Sequence, residues 1–286
     1  MPEGDAVWRT ARRLHTALAG AAVVASDLRV PALATVDLSG RRTVEVVSRG
    51  KHLLHRLEGD LTLHSHLRME GRWKVYRGRG REAVRTSQRH TIRAIVTTGA
   101  VAAVGESLGM LDLVRTTRED QVVGHLGPDL LDPAYDGDVA VANLMRRPEC
   151  TVTEALLDQR NLAGIGTIFA SEPLFLHALH PWALVGEVGE DAVTEIVETA
   201  RGLLVRSCRL GRTTITGRTD TLDDAWVHGR VGLPCLRCAT TIRLAPIGAQ
   251  PRERVMFYCP SCQGGLAPTD DGARQEPLGH GRERRA

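Results

Sequence analysis

The chain has 286 residues, of which 42% are hydrophobic and 25% charged, with a formal net charge of +3 and only 3% aromatic side chains. That length favours two or three folded units, with cores built mainly on Leu, Val and Ala. No run of 18 apolar residues is present, and charged residues from Glu3 to Arg13 interrupt any secretory pattern, so the reading excludes a membrane span and expects a cytoplasmic protein.

The chain begins "MPEGD", with Pro2 and Glu3 directly behind the initiator methionine. From Asp5 the apolar positions Val7, Ala11, Leu14 and Leu18 follow helical spacing, and Gly20 ends that helix. Short alternating segments come next: "TVEVVS", "HLLHRL", "DLTLHSHL", "GRWKVY", "TIRAIVTT" and "AVAAVG". Turns such as "SRGK", "LEGD" and "RGRGRE" separate them, which predicts an antiparallel β-sandwich ending near residue 115. Past "LGPDLLDP" the period becomes helical, in "VAVANLMRR", "TVTEALLDQ", "TIFASEPLFLHAL" and "DAVTEIVETARGLLVRS". In the last of these Val193, Ile196, Val197, Ala200 and Leu204 share one face. A short cysteine module and a Gly/Pro/charge-rich tail complete the chain. The expected division is a β-sandwich with its N-terminal helix (1–118), a helical domain (119–225), a cysteine module (226–265) and a disordered tail (266–286).

Three features carry chemistry. Cys235-x-x-Cys238 and Cys259-x-x-Cys262 form two knuckles, and together they supply the four thiolates of a closed tetrahedral shell suited to one structural Zn²⁺. Cys150 and Cys208 stand apart, and no role is assigned to them. Next, "DQRNLAGIGTIFASEPLF" places Gly164 and Gly166 between two helices. A helix start offers N–H groups with no intrahelical partner and a positive dipole end, so this turn is either a phosphate clamp or an ordinary connection. Finally, of 37 basic residues only Lys51 and Lys74 are lysines. Arginine stays charged and forks onto phosphate, whereas lysine can exchange a proton or form an imine. Arg252 and Arg254, ahead of the second knuckle, are open to either phosphate contact or simple solvation.

Taken together, "MPEGD", "SRGKHLL", "DQRNLAGIG" and the paired CxxC knuckles resemble the Fpg/Nei family of DNA glycosylases/AP lyases, over about residues 2–265. The resemblance implies an α+β multidomain fold: an N-terminal helix with an antiparallel β-sandwich, a helix-two-turns-helix DNA-binding domain and a C-terminal zinc-ribbon β-hairpin. "RGKHLLHRLEGDLTLHSHLRMEGRWKVY" and "SLGMLDL…LGPDLLDP" look like the endonuclease VIII branch, while "GRTTITGR" and "WVHGRVGLPC" are similar to the formamidopyrimidine branch.

The resemblance implies that Pro2, freed by removal of Met1, attacks C1′ of the damaged nucleotide, and that Glu3 protonates the sugar ring oxygen. Lys51 matches the lysine tied to base release and phosphate positioning, and Arg254 the zinc-finger arginine that holds phosphate. Met69, in "SHLRMEG", falls where the family places a residue that fills the space left by the extruded base. Gly166 and Thr167 match the phosphate-binding turn, although the family usually has asparagine where Thr167 stands; Asn161 is a candidate to compensate. His125 occupies the place of a DNA-contacting arginine, so its charge would depend on pH. Thr213 and Thr214 are candidates for a lesion-contacting loop. The "RRFG" loop of the formamidopyrimidine branch is absent, which favours oxidised pyrimidines over 8-oxoguanine. The expected partner is damaged DNA, duplex and in some settings single-stranded, bound by a monomer in the bacterial cytosol or nucleoid. A binding protein that does no chemistry is the alternative, and a zinc-ribbon factor leaves the N-terminus unexplained.

Overall fold

The computed structural model describes residues 2–78, 88–218, 224–251 and 253–278, so Met1 and Arg252 lie outside the described residues. The chain divides into two compact units, Met1–Leu126 and Gly127–Ala286.

In the first unit α1 (Gly4–Leu18) buries Val7, Ala11, Leu14 and Leu18 along one face, as their spacing predicts. Each buried leucine contributes roughly 1.5–3 kcal/mol. The helix ends where Ala19 turns to ψ 135°, and Gly20 follows in the left-handed region at φ +77°, its N–H bonded to the Thr43 carbonyl at 2.9 Å. Two four-stranded antiparallel sheets follow. One runs β1 (Ala25–Leu28), β6 (Ile92–Thr97), β7 (Val101–Glu106), β5 (Arg72–Arg77); the other runs β2 (Thr43–Arg49), β3 (His52–Leu57), β4 (Leu61–His66), β8 (Met110–Val114). The strands β2 to β7 coincide with the six alternating segments. Two strands, β1 and β8, lie outside them; the four residues of β1 are too short and too polar to show alternation.

Side-chain alternation in the second sheet decides which groups meet. Val46, Leu53, Leu57, Leu63 and Leu111 join a core with the apolar face of α1 and with Trp73, Ala94, Val96 and Ala103 of the other sheet. His55, also on this inner face, is buried and shares a hydrogen bond of 2.9 Å with the Thr43 hydroxyl. The opposite face carries His52, Arg56, Thr62, His64, His66 and Asp112. The segment after β8, which includes the one-turn helix α2 (Asp120–Val123), docks on that face. Glu119 accepts hydrogen bonds from Arg56 at 2.8 and 2.7 Å and from Thr62 at 2.7 Å. Residues 119–126 therefore belong with the sandwich, past the boundary expected at 118.

The second unit contains α3 (Gly137–Met145), α4 (Val152–Leu157), α5 (Thr167–Leu176), α6 (Val185–Val188) and α7 (Glu190–Arg209), then the hairpin β9 (Arg243–Ile247) and β10 (Arg254–Tyr258). Asp136 caps α3 by accepting from the Val139 N–H, and Thr151 with Glu154 forms a capping box on α4. The predicted face of α7 is buried as a block with Phe169, Leu174 and Ile165. Ile247 and Met256 from the hairpin enter that same core, so helices and ribbon fold around shared apolar residues.

Residues 266–278 correct the expectation of disorder drawn from their composition. Ala267 is buried against Tyr258, Ala245 and Trp182. Asp270 pairs with the Arg243 guanidinium and accepts from the Tyr258 hydroxyl at 2.5 Å, and Arg243 holds its carboxyl down at about 2. The Gln275 amide accepts from Leu244 N–H at 2.8 Å and donates to Leu244 C=O at 2.9 Å, which completes the polar groups of a strand edge. A few buried polar anchors thus order a segment with too little apolar content to suggest folding. Among the described residues no helix is long and apolar enough to cross a membrane.

Candidate active site, metal centre and DNA-contacting elements

Pro2 is partly buried and leads straight into Glu3, the residue at which α1 begins. Glu3 is extended (φ −107°, ψ −175°), its carbonyl accepts from Val7 N–H at 3.0 Å, and its carboxyl makes no capping bond to the helix. Only 2% of the residue is exposed. The positive end of the α1 dipole stabilises negative charge at this position, while burial opposes it. Asp5, in the first turn, is buried and bonded to Arg9 at 2.7 Å.

Lys51 stands with Gly50 in the two-residue turn joining β2 and β3, where Gly50 takes φ +56°. It is 8% exposed, far below the norm for lysine. A cluster of histidines begins at the next residue. The His52 and His64 rings are stacked, with Nδ1 of His52 2.8 Å from Nε2 of His64; His64 Nδ1 lies 2.9 Å from the Asp112 carboxylate. The His66 ring is edge-on to His52 at 4.8 Å and the exposed His125 ring at 5.9 Å. Burial, followed by His66, His64, His125 and Lys51, presses His52 down to about 3. Burial and then Lys51 hold His66 at about 4. Burial also lowers His64, against the pull of Asp112. Nothing in the sequence pattern marks this cluster, because strand register brings His52, His64 and His66 together and the docked segment after β8 adds His125.

Met69 projects from the turn between β4 and β5 and is 65% exposed. A Cβ at Gly71 would come within 2.3 Å of the Leu67 carbonyl oxygen, so this turn requires glycine, and Arg68 takes a left-handed φ of +51°.

In the second unit Gln159 ties the glycine turn together. Its amide donates to the carbonyls of Leu157 and Ile165 and accepts from Gly164 N–H, while Gly164 takes φ +110°. Gly166 is the residue preceding α5, and partly buried Thr167 is its first helical residue. Asn161 donates one amide N–H to the Ala155 carbonyl at 3.0 Å, which ties its side chain to the preceding helix. Thr214 is fully buried and bonded to Ser207 and Asp224, which makes it a loop anchor and removes it from the candidates for lesion contact. Asp224 also accepts from Thr216 N–H at 2.7 Å and so holds both flanks of residues 219–223, which lie outside the described residues. Glu172, fully buried, accepts the N–H groups of Trp226, Val227 and His228 at 2.7–3.0 Å. Sequence reasoning missed Glu172 and Asp224, whose partners lie far off in the chain or in a loop without a motif.

The sulfur atoms of Cys235, Cys238, Cys259 and Cys262 all lie within 4.8 Å of one another, and no other such group of ligands occurs among the described residues. Cys235–Cys262 are 3.9 Å apart and Cys238–Cys259 3.4 Å. Tetrahedral thiolates bonded at about 2.3 Å to one ion sit roughly 3.8 Å apart, so the donor set fits a single metal ion with no open position. Arg254 starts β10 opposite Ile247 and is exposed.

Comparison with known proteins agrees with this architecture. The formamidopyrimidine-DNA glycosylase N-terminal domain family matches residues 1–112, and the formamidopyrimidine-DNA glycosylase H2TH domain family matches residues 126–219. A probable endonuclease 8 2 of Streptomyces coelicolor is 49% identical, covering 95% of this chain and 97% of its own length. The DNA-(apurinic or apyrimidinic site) lyase Nei2 of Mycolicibacterium smegmatis is 42% identical over 92% of this chain and 99% of its own. Among solved structures, Lactococcus lactis formamidopyrimidine-DNA glycosylase bound to abasic-site DNA superimposes with a TM-score of 0.77 at 21% identity, covering 92% of this chain and 100% of that one, which is a likeness of fold. This chain belongs to the Fpg/Nei family, on its endonuclease VIII side.

Proposed function

We propose that this protein is a bifunctional DNA glycosylase/AP lyase of base-excision repair that releases oxidised bases, pyrimidines in preference, from duplex DNA. The observation that carries the reading is the N-terminus: Pro2 followed by a glutamate only 2% exposed at the head of α1, in a chain 49% identical to an endonuclease 8 protein. A protein that only binds DNA gains nothing from burying Glu3 and Lys51, and burial of either ionisable group is costly.

With Met1 removed, Pro2 presents a secondary amine, and α-amino groups titrate near ~8, so a neutral fraction exists at cellular pH. The Pro2 nitrogen forms a bond to C1′ while the C1′–base bond breaks and its electron pair leaves with the base. Glu3 gives a proton to the ring oxygen as the sugar opens, leaving an iminium between Pro2 and C1′. Lys51 donates a proton to the departing base or pairs with the adjacent phosphate. The iminium acidifies C2′; loss of that proton expels the 3′ phosphate, and a second elimination expels the 5′ phosphate. Gly166 and Thr167 at the head of α5, together with Arg254, hold backbone phosphates, Met69 fills the space of the extruded nucleotide, and His125 contacts DNA. Zinc is the ion that suits the four cysteines, and it supplies the rigidity of the hairpin bearing Arg254. The protein acts as a monomer in the bacterial cytosol.

Borohydride trapping on duplexes containing thymine glycol or an abasic site tests this reading. A covalent adduct that maps to Pro2 and vanishes when the N-terminus is blocked is the expected result. Tight binding with no adduct under the same conditions assigns the protein to damage binding without chemistry.

A further inference from the structure

The glycine turn that leads into α5 has a second stretch of backbone stitched along it. Gly127 N–H donates to the Gln159 carbonyl at 2.9 Å, Ala163 N–H to the Pro128 carbonyl at 2.8 Å, and Leu130 N–H to the Ala163 carbonyl at 3.3 Å. Asp129 and Ala163 pair in parallel register, so residues 127–130 form a short rail beside residues 159–163. One end of the rail is fixed by Leu130, which is fully buried and whose carbonyl accepts from Nε of Arg201 on α7 at 3.2 Å. At the other end space is the constraint. A Cβ on Gly127 would lie 2.5 Å from the Asn161 carbonyl oxygen and 2.6 Å from that of Arg160. Both atoms are backbone, so no side chain can swing aside to relieve the contact, and only glycine allows so close an approach. The Asn161 oxygen is also held from α3, where buried Asn143 donates to it from Nδ2 at 3.0 Å.

We infer that Gly127 and Asn143 are positioning residues for the phosphate-binding turn, acting through the backbone of residues 159–161; the inference rests on the phosphate role given to Gly166 and Thr167 above. Gln159 is the link. Its main-chain carbonyl takes the Gly127 N–H, while its side chain accepts from Gly164 N–H at 3.1 Å and donates to the Ile165 carbonyl at 2.9 Å, one residue before Gly166. A methyl group at position 127 stands about 0.9 Å short of the 3.4 Å at which ordinary contact begins, so the Arg160 and Asn161 carbonyls must yield. The Gln159 amide is built on the adjoining residue and is carried with them. Charge-assisted hydrogen bonds to a phosphate form over a narrow range, roughly 2.7–2.9 Å, so a displacement of that size at the head of α5 costs the contact. Neither residue offers DNA a side chain of its own: Gly127 has none, and the Asn143 amide is 8% exposed and engaged by Asn161.

The test is a scan of single methylphosphonate linkages, which are uncharged, in a duplex carrying a tetrahydrofuran abasic analogue that has no aldehyde for Pro2 to attack. Equilibrium affinity is measured for wild type, Thr167→Pro, Gly127→Ala and Asn143→Leu. Proline is accepted at a first helical position and removes the N–H there, and Gly166 ahead of it is already extended (φ −127°, ψ −158°). The linkage whose neutralisation weakens wild type but not Thr167→Pro is the one held by the turn. There the penalty should be ~10-fold in wild type, the worth of one hydrogen bond to a charged group, and below ~3-fold in Gly127→Ala and Asn143→Leu. Penalties at the other linkages should match wild type, which a variant that merely destabilised the fold would show at every linkage alike. A full wild-type penalty at the turn's linkage in folded Gly127→Ala overturns the inference; should that variant not fold, the same result in Asn143→Leu does so. If Thr167→Pro relieves the penalty at no linkage, the phosphate role of the turn itself falls, and the brace with it.

Discussion

Replacing Asp270 with alanine strips both carboxylate oxygens from Arg243, whose side chain is only 9% exposed, and leaves that guanidinium with the Ala273 carbonyl at 2.8 Å. Breaking one side of a buried ion pair costs about 3–5 kcal/mol, because the remaining charge has no water to replace its partner. The Tyr258 hydroxyl also loses its acceptor, which adds roughly 1 kcal/mol. For a unit of this size each kcal/mol moves the melting temperature by about 2–4 °C, so a fall of roughly 8–24 °C is expected. Trp182 packs edge-on against Tyr258 at 5.2 Å, so its fluorescence reports the transition where the damage occurs. The double variant Arg243→Met/Asp270→Leu removes both charges and should recover most of the loss. A fall under about 3 °C for Asp270→Ala, or no recovery in the double variant, refutes the view that the tail is held by a buried ion pair.

Acid should loosen the sandwich unit through its buried histidines. Burial holds His55 at about 4, below its unfolded value of 6.5, so the folded state binds fewer protons; its contribution is complete above pH 6.5 and is lost as pH falls towards 4, about 3 kcal/mol in all. His55→Gln, which does not titrate, should lower the acid unfolding midpoint of that unit followed by circular dichroism. Elemental analysis should find one zinc per chain, and chelation should melt the helices along with the ribbon, because Ile247 and Met256 sit in the helical core; helices that keep their melting temperature after metal loss contradict the shared core. Met69→Ala should leave thermal stability unchanged, since the side chain is exposed, while slowing base release; equal rates would remove Met69 from the DNA-contacting set.

The legible parts of the fold were those written in local periods. Six alternating segments became β2 to β7, and the five apolar positions of α7 are buried as one face. The cysteine knuckles could be read because two short spacings suffice to define four ligands. What stayed hidden depends on register and long-range pairing. His52 and His64 are twelve residues apart, and only the antiparallel pairing of β3 with β4 makes them neighbours. Asp270 and Gln275 lie in a stretch whose composition suggests disorder, yet each meets a specific partner on β9. Thr214 looked like part of a contact loop, but its hydroxyl and N–H are consumed inside the protein.

The near absence of lysine, with Lys51 buried in its turn and Lys74 exposed on β5, leaves very few nitrogens able to condense with an aldehyde. Beyond the N-terminus only those two ε-amines qualify, since guanidinium does not form such imines at neutral pH. Peptide mapping of a reduced sugar adduct therefore has three addresses to tell apart, and accessibility already ranks the two lysines. This sequence offers an unusually quiet background for locating a carbon–nitrogen crosslink to a single atom.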